Sequence, residues 1–346
     1  MSNSCPSDEP AESAEESGAE TSGDAGGFRS SSLVRSVLVF SVAGVLLYGA
    51  ATVASDYRAV VGALLRFPAG TLSLVLGLVV AGWLIRGWRF SYYLRETGAH
   101  VPLSYAVSAF LAGFALTGTP GKVGEAVKGV FLKQDYGIPV TRVVGILMVE
   151  RLMDLWAVLL LGSFSLLLFR GWRGLFLLCA AIVLAGGIFL CMESIYRPVL
   201  ERLSRVSFLS WVCGKVLNSL LAGRELMTPR IFFVGLAVSS AAWALESVSL
   251  YLVLRGFDLS VTILQANFVY CFSQIVGALS MLPGGIGGAE AGMIGLLSFL
   301  GISYVDGLPA VILFRICTLW AAVIVGVAFM VFMLARGRRG LSRLPE

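Results

Sequence analysis

Pro120-Gly121-Lys122-Val123-Gly124-Glu125 interrupts one apolar stretch of the chain, and Pro283-Gly284-Gly285-Ile286-Gly287-Gly288-Ala289-Glu290 interrupts another. Proline removes a backbone donor and glycine leaves the helical well cheaply, so each phrase breaks a helix. Each also places a carboxylate, Glu125 or Glu290, where hydrocarbon would reject it. An arginine inside an apolar run follows each phrase: Arg151 lies 31 residues after Pro120, and Arg315 lies 32 after Pro283. Ionisable groups at membrane depth are too costly to be kept idly, which marks both regions as functional candidates. Broken helices at corresponding places of two halves are the sequence pattern of a membrane transport core.

The chain has 346 residues, of which 57% are hydrophobic and 14% charged. Soluble domains carry roughly 25% charged residues. An all-α polytopic membrane domain is therefore expected over residues 29–339, in place of soluble domains. Cys5, Cys179, Cys191, Cys213, Cys271 and Cys317 show no CxxC spacing and fall mostly in apolar segments. They read as small buried hydrophobes, not as disulfides or zinc ligands. The single histidine, His100, cannot build a metal site, and no cofactor is implied. Residues 1–28 hold seven acidic residues and no Lys or Arg, and they lack the basic start and apolar core of a signal peptide. They are expected to form a disordered acidic tail. The remainder carries 26 basic and 14 acidic residues, a net +12 that fits the positive-inside rule and favours anionic lipid.

A bilayer is crossed by about 20 apolar residues. Residues 33–54, 72–94, 140–169, 175–192, 231–254 and 309–334 meet that length, which predicts about six spanning helices. Residues 103–132 and 262–300 contain the two breaks and are expected to form re-entrant or broken-helix hairpins. Basic residues at 336–343 and across 193–230 place both on the cytoplasmic side of the cell (inner) membrane, with both termini inside. Lys122, Lys128 and Lys133 then open the first hairpin inward. The second has no Lys or Arg between Arg255 and Arg315 and opens outward. Span, hairpin, span thus recurs in opposite orientation over residues 72–169 and 231–335, an inverted repeat. Trp83-x-x-Arg86 before the first hairpin is echoed by Trp243-x-x-Glu246 before the second. Residues 194–228 have apolar positions spaced by threes and fours among basic ones, which reads as an interfacial amphipathic linker divided near Pro198 and Gly214. Residues 340–346 end the chain as a short basic tail.

The membrane charges are the candidate site. Arg86 and Arg89 lie late in the second span, where Arg89 could snorkel to the interface, and Lys122 and Lys128 are further candidate headgroup or interface contacts. Glu150 and Asp154 share a helical face, and Arg151 pairs with Asp154 at i,i+3. Glu246 and Arg315 are similarly deep. Each unpaired charge at mid-helix costs about 2.5–3.5 kcal/mol, so these groups must pair or face water. Glu125 with Arg151, and Glu290 with Arg315, would tie each hairpin to its following helix. The alternative is a polar cavity in which the arginines and the helix starts after Pro120-Gly121 and Pro283-Gly284 bind an anionic headgroup, with Gly124 and Gly288 allowing close approach. No Walker phrase, GxSxG or HExxH is present, so neither a nucleotide enzyme nor a hydrolase is indicated, and nothing points to nucleic acid.

Pro120-Gly-Lys-Val-Gly-Glu125-Ala-Val-Lys128, Glu150-Arg151-Leu-Met-Asp154, Pro283-Gly-Gly-Ile-Gly-Gly-Ala-Glu290 and Arg315, in that order, resemble the flippase-like family. That family includes the membrane domain of lysylphosphatidylglycerol synthases. The likeness runs over residues 33–336. It implies a protein moving lipids or lipid-linked molecules between leaflets, with an anionic phospholipid or a polyprenyl-phosphate-linked substrate as partner and a homo-oligomer as one possible state. The chain ends at Glu346, just after its last span, so the aminoacyl transfer of the synthases is not expected. Archaeal relatives connected with dolichol-linked sugars keep a membrane-embedded glycosyltransferase, or an accessory to one, as the alternative.

Overall fold

A computed structural model describes residues 57–117, 125–165, 169, 171, 173–203, 207–280 and 285–341. The acidic tail, the expected span at 33–54, Pro120, Gly121, Lys122, Gly124, Pro283, Gly284 and the tail beyond residue 341 lie outside the described residues.

Among the described residues every regular element is helical. Helices α1 (Tyr57–Leu65) and α2 (Ala69–Glu96) lead into α3 (Leu103–Gly113), which tightens into a 3-10 turn at Phe114–Leu116. Then come α4 (Val127–Tyr136), α5 (Val140–Ser165), α6 (Arg173–Cys191), α7 (Glu193–Leu203) and α8 (Ser207–Glu225). The second half follows with α9 (Pro229–Gly256), α10 (Ile263–Leu279), α11 (Gly288–Phe299), α12 (Tyr304–Arg315), a π-turn at Ile316–Trp320 and α13 (Ala321–Leu341). Local chemistry sets the starts. Thr228 accepts the amide N–H of Ile231 ahead of Pro229. Thr262 and Gln265 form a reciprocal capping box on α10. Gly137, at φ 65°, ends α4 in the left-handed conformation.

Among the described residues, three helices are long and apolar enough to cross a membrane: Ala69–Glu96, Pro229–Gly256 and Tyr304–Arg336, the last running through the π-turn. A fourth is added if α6 and α7, which meet at a 70° bend, form one span. The expected span at 140–169 is helical over Val140–Ser165, but Arg142, Glu150, Arg151 and Asp154 interrupt its apolar character. The hairpin arms Leu103–Leu116, Ile263–Leu279 and Gly288–Phe299 are apolar but too short to cross. Leu177, Leu178 and Ile182 on α6, and Ile324, Val331 and Phe332 on α13, are large apolar side chains turned outward.

Helices from the N- and C-terminal parts of the chain interlock. α2 lies along α9, the arm α3 with its 3-10 turn packs on α13, and the arm α10 packs on α5. α3 thus rests on a helix from the C-terminal part of the chain, and α10 on one from the N-terminal part. The cores follow this exchange: one cluster gathers Phe90, Phe110 and Phe114 with Ala322, Met330 and Met333, the other Phe268, Tyr270 and Phe314 with Val75, Ala157 and Val158. The first contact needs a glycine. A Cβ at Gly326 would stand 2.6 Å from the backbone carbon of Phe114.

The linker differs from expectation. Pro198 sits inside α7 and Gly214 inside α8, so neither residue ends a helix. α8 is also more than a surface connector: it packs closely on α5 and buries Cys213, Ser219 and Leu220.

Candidate functional site

The charges on α2, α4 and α5 form one chain of alternating sign. Lys128 Nζ is 2.7 Å from Glu150, and the other Glu150 oxygen is 3.8 Å from Arg89. Arg89 donates to Asp154 at 2.7 Å and also bonds the Ser239 hydroxyl on α9. Asp154 is 3.4 Å from Arg151, and Arg151 is 3.4 Å from Glu125. Three cations and three carboxylates are thereby balanced pairwise, as a low-dielectric surround requires.

Two sequence expectations are corrected here. Arg89 does not snorkel and Lys128 is not an interface contact: both are fully buried, at 0% and 1% exposure. The reason is facing. α2 turns Arg89 towards α5 and α9, where two carboxylates and a hydroxyl replace the water it would otherwise seek. Lys128 is likewise held by Glu150 and enclosed by the rings of Phe90 and Phe110, 4.4 and 5.0 Å from its nitrogen.

The tryptophan echo is a physical contact. Arg86 on α2 pairs with Glu246 on α9, and its guanidinium lies 4.6 Å from the ring centre of Trp243. Tyr270 on α10 donates to the second Glu246 oxygen at 2.7 Å. Arg86 is thereby held between α2 and α9 at the cavity wall.

In the second half, Arg315 Nε donates to Glu290 Oε1 at 2.6 Å, and Glu290 Oε2 accepts the Gly287 amide at 2.7 Å. The carboxylate occupies the start of α11, where the helix dipole favours negative charge. Gly285 and Gly287, at φ 67° and 88°, supply the turn into that start. Arg315 is the last α-helical residue before the π-turn, a feature found often at functional positions.

These groups surround one cavity of about 300 Å³ between the halves. Arg86, Glu125, Arg151, Asp154, Arg315 and Glu246 line it, together with Trp83 and Trp243. Gly288 lies at the start of α11, packed against Ser280, with Glu290 behind Arg315; Glu150, Arg89 and Lys128 lie behind Asp154 and Arg151. Sequence reasoning missed Thr117, Gln274 and Thr318, which also line the cavity. They carry no charge, so hydropathy did not mark them. Several lining groups have a buried polar atom with no hydrogen-bond partner among the described residues: Arg86 Nε, Arg151 Nε, Trp243 Nε1, Thr117 Oγ1 and Asp154 Oδ2.

Comparison with known proteins places residues 35–326 on the family model described as lysylphosphatidylglycerol synthase TM region. A UPF0104 membrane protein of Methanocaldococcus jannaschii is 23% identical over 229 residues, covering 63% of this chain and 92% of the relative. Two matches to UPF0104 membrane proteins of Methanothermobacter thermautotrophicus are shorter, 28% identical over 98 residues and 31% over 93. They cover 28% and 27% of this chain, and 29% and 28% of those relatives' own length.

Proposed function

Because the chain belongs to the lysylphosphatidylglycerol synthase TM-region family, we propose that it moves an anionic lipid headgroup between leaflets through the cavity, while the acyl chains stay in the bilayer. One observation carries this reading: Arg86, Arg151 and Arg315, from both halves, line a single cavity inside an otherwise apolar protein. Arginine grips phosphate in two places at once and keeps its charge at any relevant pH. A cavity of about 300 Å³ suits a headgroup and not a whole lipid.

The proposal includes six spans, an inverted repeat and both termini in the cytoplasm. Reciprocal packing supports the repeat, since each hairpin arm rests on the other half's closing helix. Rocking of such halves would expose the cavity to each side in turn. The test is a liposome assay with a fluorescent anionic phospholipid. The wild-type chain should equilibrate the lipid across the bilayer, and an Arg151→Ala, Arg315→Ala double variant should be slower by at least about tenfold, the loss of one charged contact. Unchanged rates in a folded double variant would sink the assignment.

A further inference from the structure

α6 and α7 meet at a 70° bend, and their sequences differ in kind. α6 has 19 residues and rises about 28 Å, so it nearly spans a hydrocarbon core of about 30 Å alone. No charged residue falls between Gly174 and Met192. α7 is amphipathic instead. Ile195, Tyr196, Val199, Leu200 and Leu203 fall on one broad apolar arc at helical spacing.

The protein covers only half of that arc. Tyr196 is buried beside Phe189, and Leu200 packs against the same core cluster. Ile195, Val199 and Leu203, one turn apart, are exposed, as is Met192 just before the helix. The polar row lies across the axis: Glu193 pairs with Arg197, which is 3.6 Å from Glu201. Glu193 also pairs with Arg224 at the end of α8, and this clip ties α7 to the packed part of the chain. Exposed apolar side chains continue along the chain from Ile182 and Ile188 on α6, through Met192, to Leu203.

We propose that α6 crosses the bilayer and that α7 lies along its surface, with Ile195, Val199 and Leu203 seated where headgroups meet acyl chains. The partner is the lipid leaflet. α7 carries two acidic and two basic residues, so it docks by apolar insertion and needs no anionic lipid. The sharp bend is then the corner between a crossing and an in-plane helix, and not a break within one span. The interfacial part of the linker is α7, since α8 packs on α5. This placement holds whether or not the chain moves lipid.

Single fluorescent labels on the full chain test it. In a chain carrying Cys5→Ser and Cys191→Ser, the remaining cysteines are buried. A label is then placed in turn through Ile195→Cys, Val199→Cys, Leu203→Cys, Glu201→Cys and, in mid-α6, Ile182→Cys. All five positions are exposed, so the labels leave the packing intact. Vesicles of phosphatidylcholine carry a nitroxide quencher near the head or near the tail of an acyl chain, and iodide quenches from water. The three stripe labels should respond to the shallow nitroxide at one common depth, about 5–10 Å into the headgroup and acyl boundary. Ile182→Cys should respond to the deep nitroxide, and Glu201→Cys to iodide. One broken span would change the depth steadily from Ile195 to Leu203, by up to about 12 Å, and that gradient overturns the proposal. Stripe labels quenched by iodide alone overturn it in favour of a helix facing water. Stripe labels shielded from lipid and iodide alike overturn it in favour of a second copy or another protein. If one stripe variant misfolds, the other two against Ile182→Cys still decide between these outcomes.

Discussion

The first hairpin hangs its glutamate on a run of ion pairs, whereas the second ties its glutamate to the start of its own helix. Glu125 meets Arg151 at 3.4 Å, and Arg151 is shared with Asp154 and is 30% exposed. Glu290 meets Arg315 at 2.6 Å, and both side chains are nearly buried, at 12% and 7%. The same residue types at nearly the same spacing, 26 and 25 residues, thus give one long pair whose arginine is partly exposed and one short pair whose arginine is nearly buried. Under the proposed function, Arg151 is the arginine readier to exchange its carboxylate for a ligand oxygen and Arg315 the one more firmly held.

Removing the most buried link of the first chain should have the largest effect. Glu150 is fully buried and serves both Lys128 and Arg89. Glu150→Ala leaves Lys128 without this carboxylate, and breaking such a buried pair costs about 3–5 kcal/mol. Denaturant or thermal melting in detergent measures it. A Lys128→Met, Glu150→Leu double variant should recover much of the loss, because deleting both charges removes the need for either. A double variant as unstable as Glu150→Ala would mean that packing, and not charge, dominates there.

The next effect separates the two crossed contacts. At Gly326 a Cβ would stand 2.6 Å from the Phe114 backbone, so α13 or the 3-10 turn must move. At Gly162, where α5 meets the arm of the other hairpin, a Cβ would stand 3.4 Å from the Cys271 Cβ, ordinary contact. Gly326→Ala should destabilise by about 1–3 kcal/mol, as overpacking does, and Gly162→Ala by under about 1 kcal/mol. Equal losses in the two melts would show that the contacts are equally tight.

Much of this was legible in the chain. Pro and Gly inside an apolar run announced the turn into α11 at Gly285 and Gly287, and the spacing of glutamate and arginine announced two ion pairs that are present. The tryptophan echo marked positions that touch, Arg86 with Glu246. What sequence could not supply was facing. Position along α2 puts Arg89 near a helix end, where a long side chain ordinarily snorkels. Only the crossing of α2 with α5 and α9 brings Asp154 and Ser239 to it. Thr117, Gln274 and Thr318 were invisible for a different reason: neutral polar side chains are common in membrane helices and show no penalty to read. Pro198 was read as dividing the linker, but it lies within α7.

Neutralising each hairpin glutamate in turn is the sharpest test of the comparison. Glu290→Gln removes the charge facing a nearly buried Arg315 while leaving an oxygen for the Gly287 amide, so it should cost about 2 kcal/mol, the range of a charged hydrogen bond. Glu125→Gln leaves Arg151 still paired with Asp154 and partly wet, so it should cost under about 1 kcal/mol. Transport should rank the other way. Freeing the available arginine in Glu125→Gln should change headgroup affinity at once, read as a shifted concentration dependence in the liposome assay. Freeing the sealed one in Glu290→Gln should mainly lower the melting temperature. If both variants lose equal stability and equal transport, the two hairpins are equivalent, and the asymmetry of 3.4 against 2.6 Å carries no functional meaning.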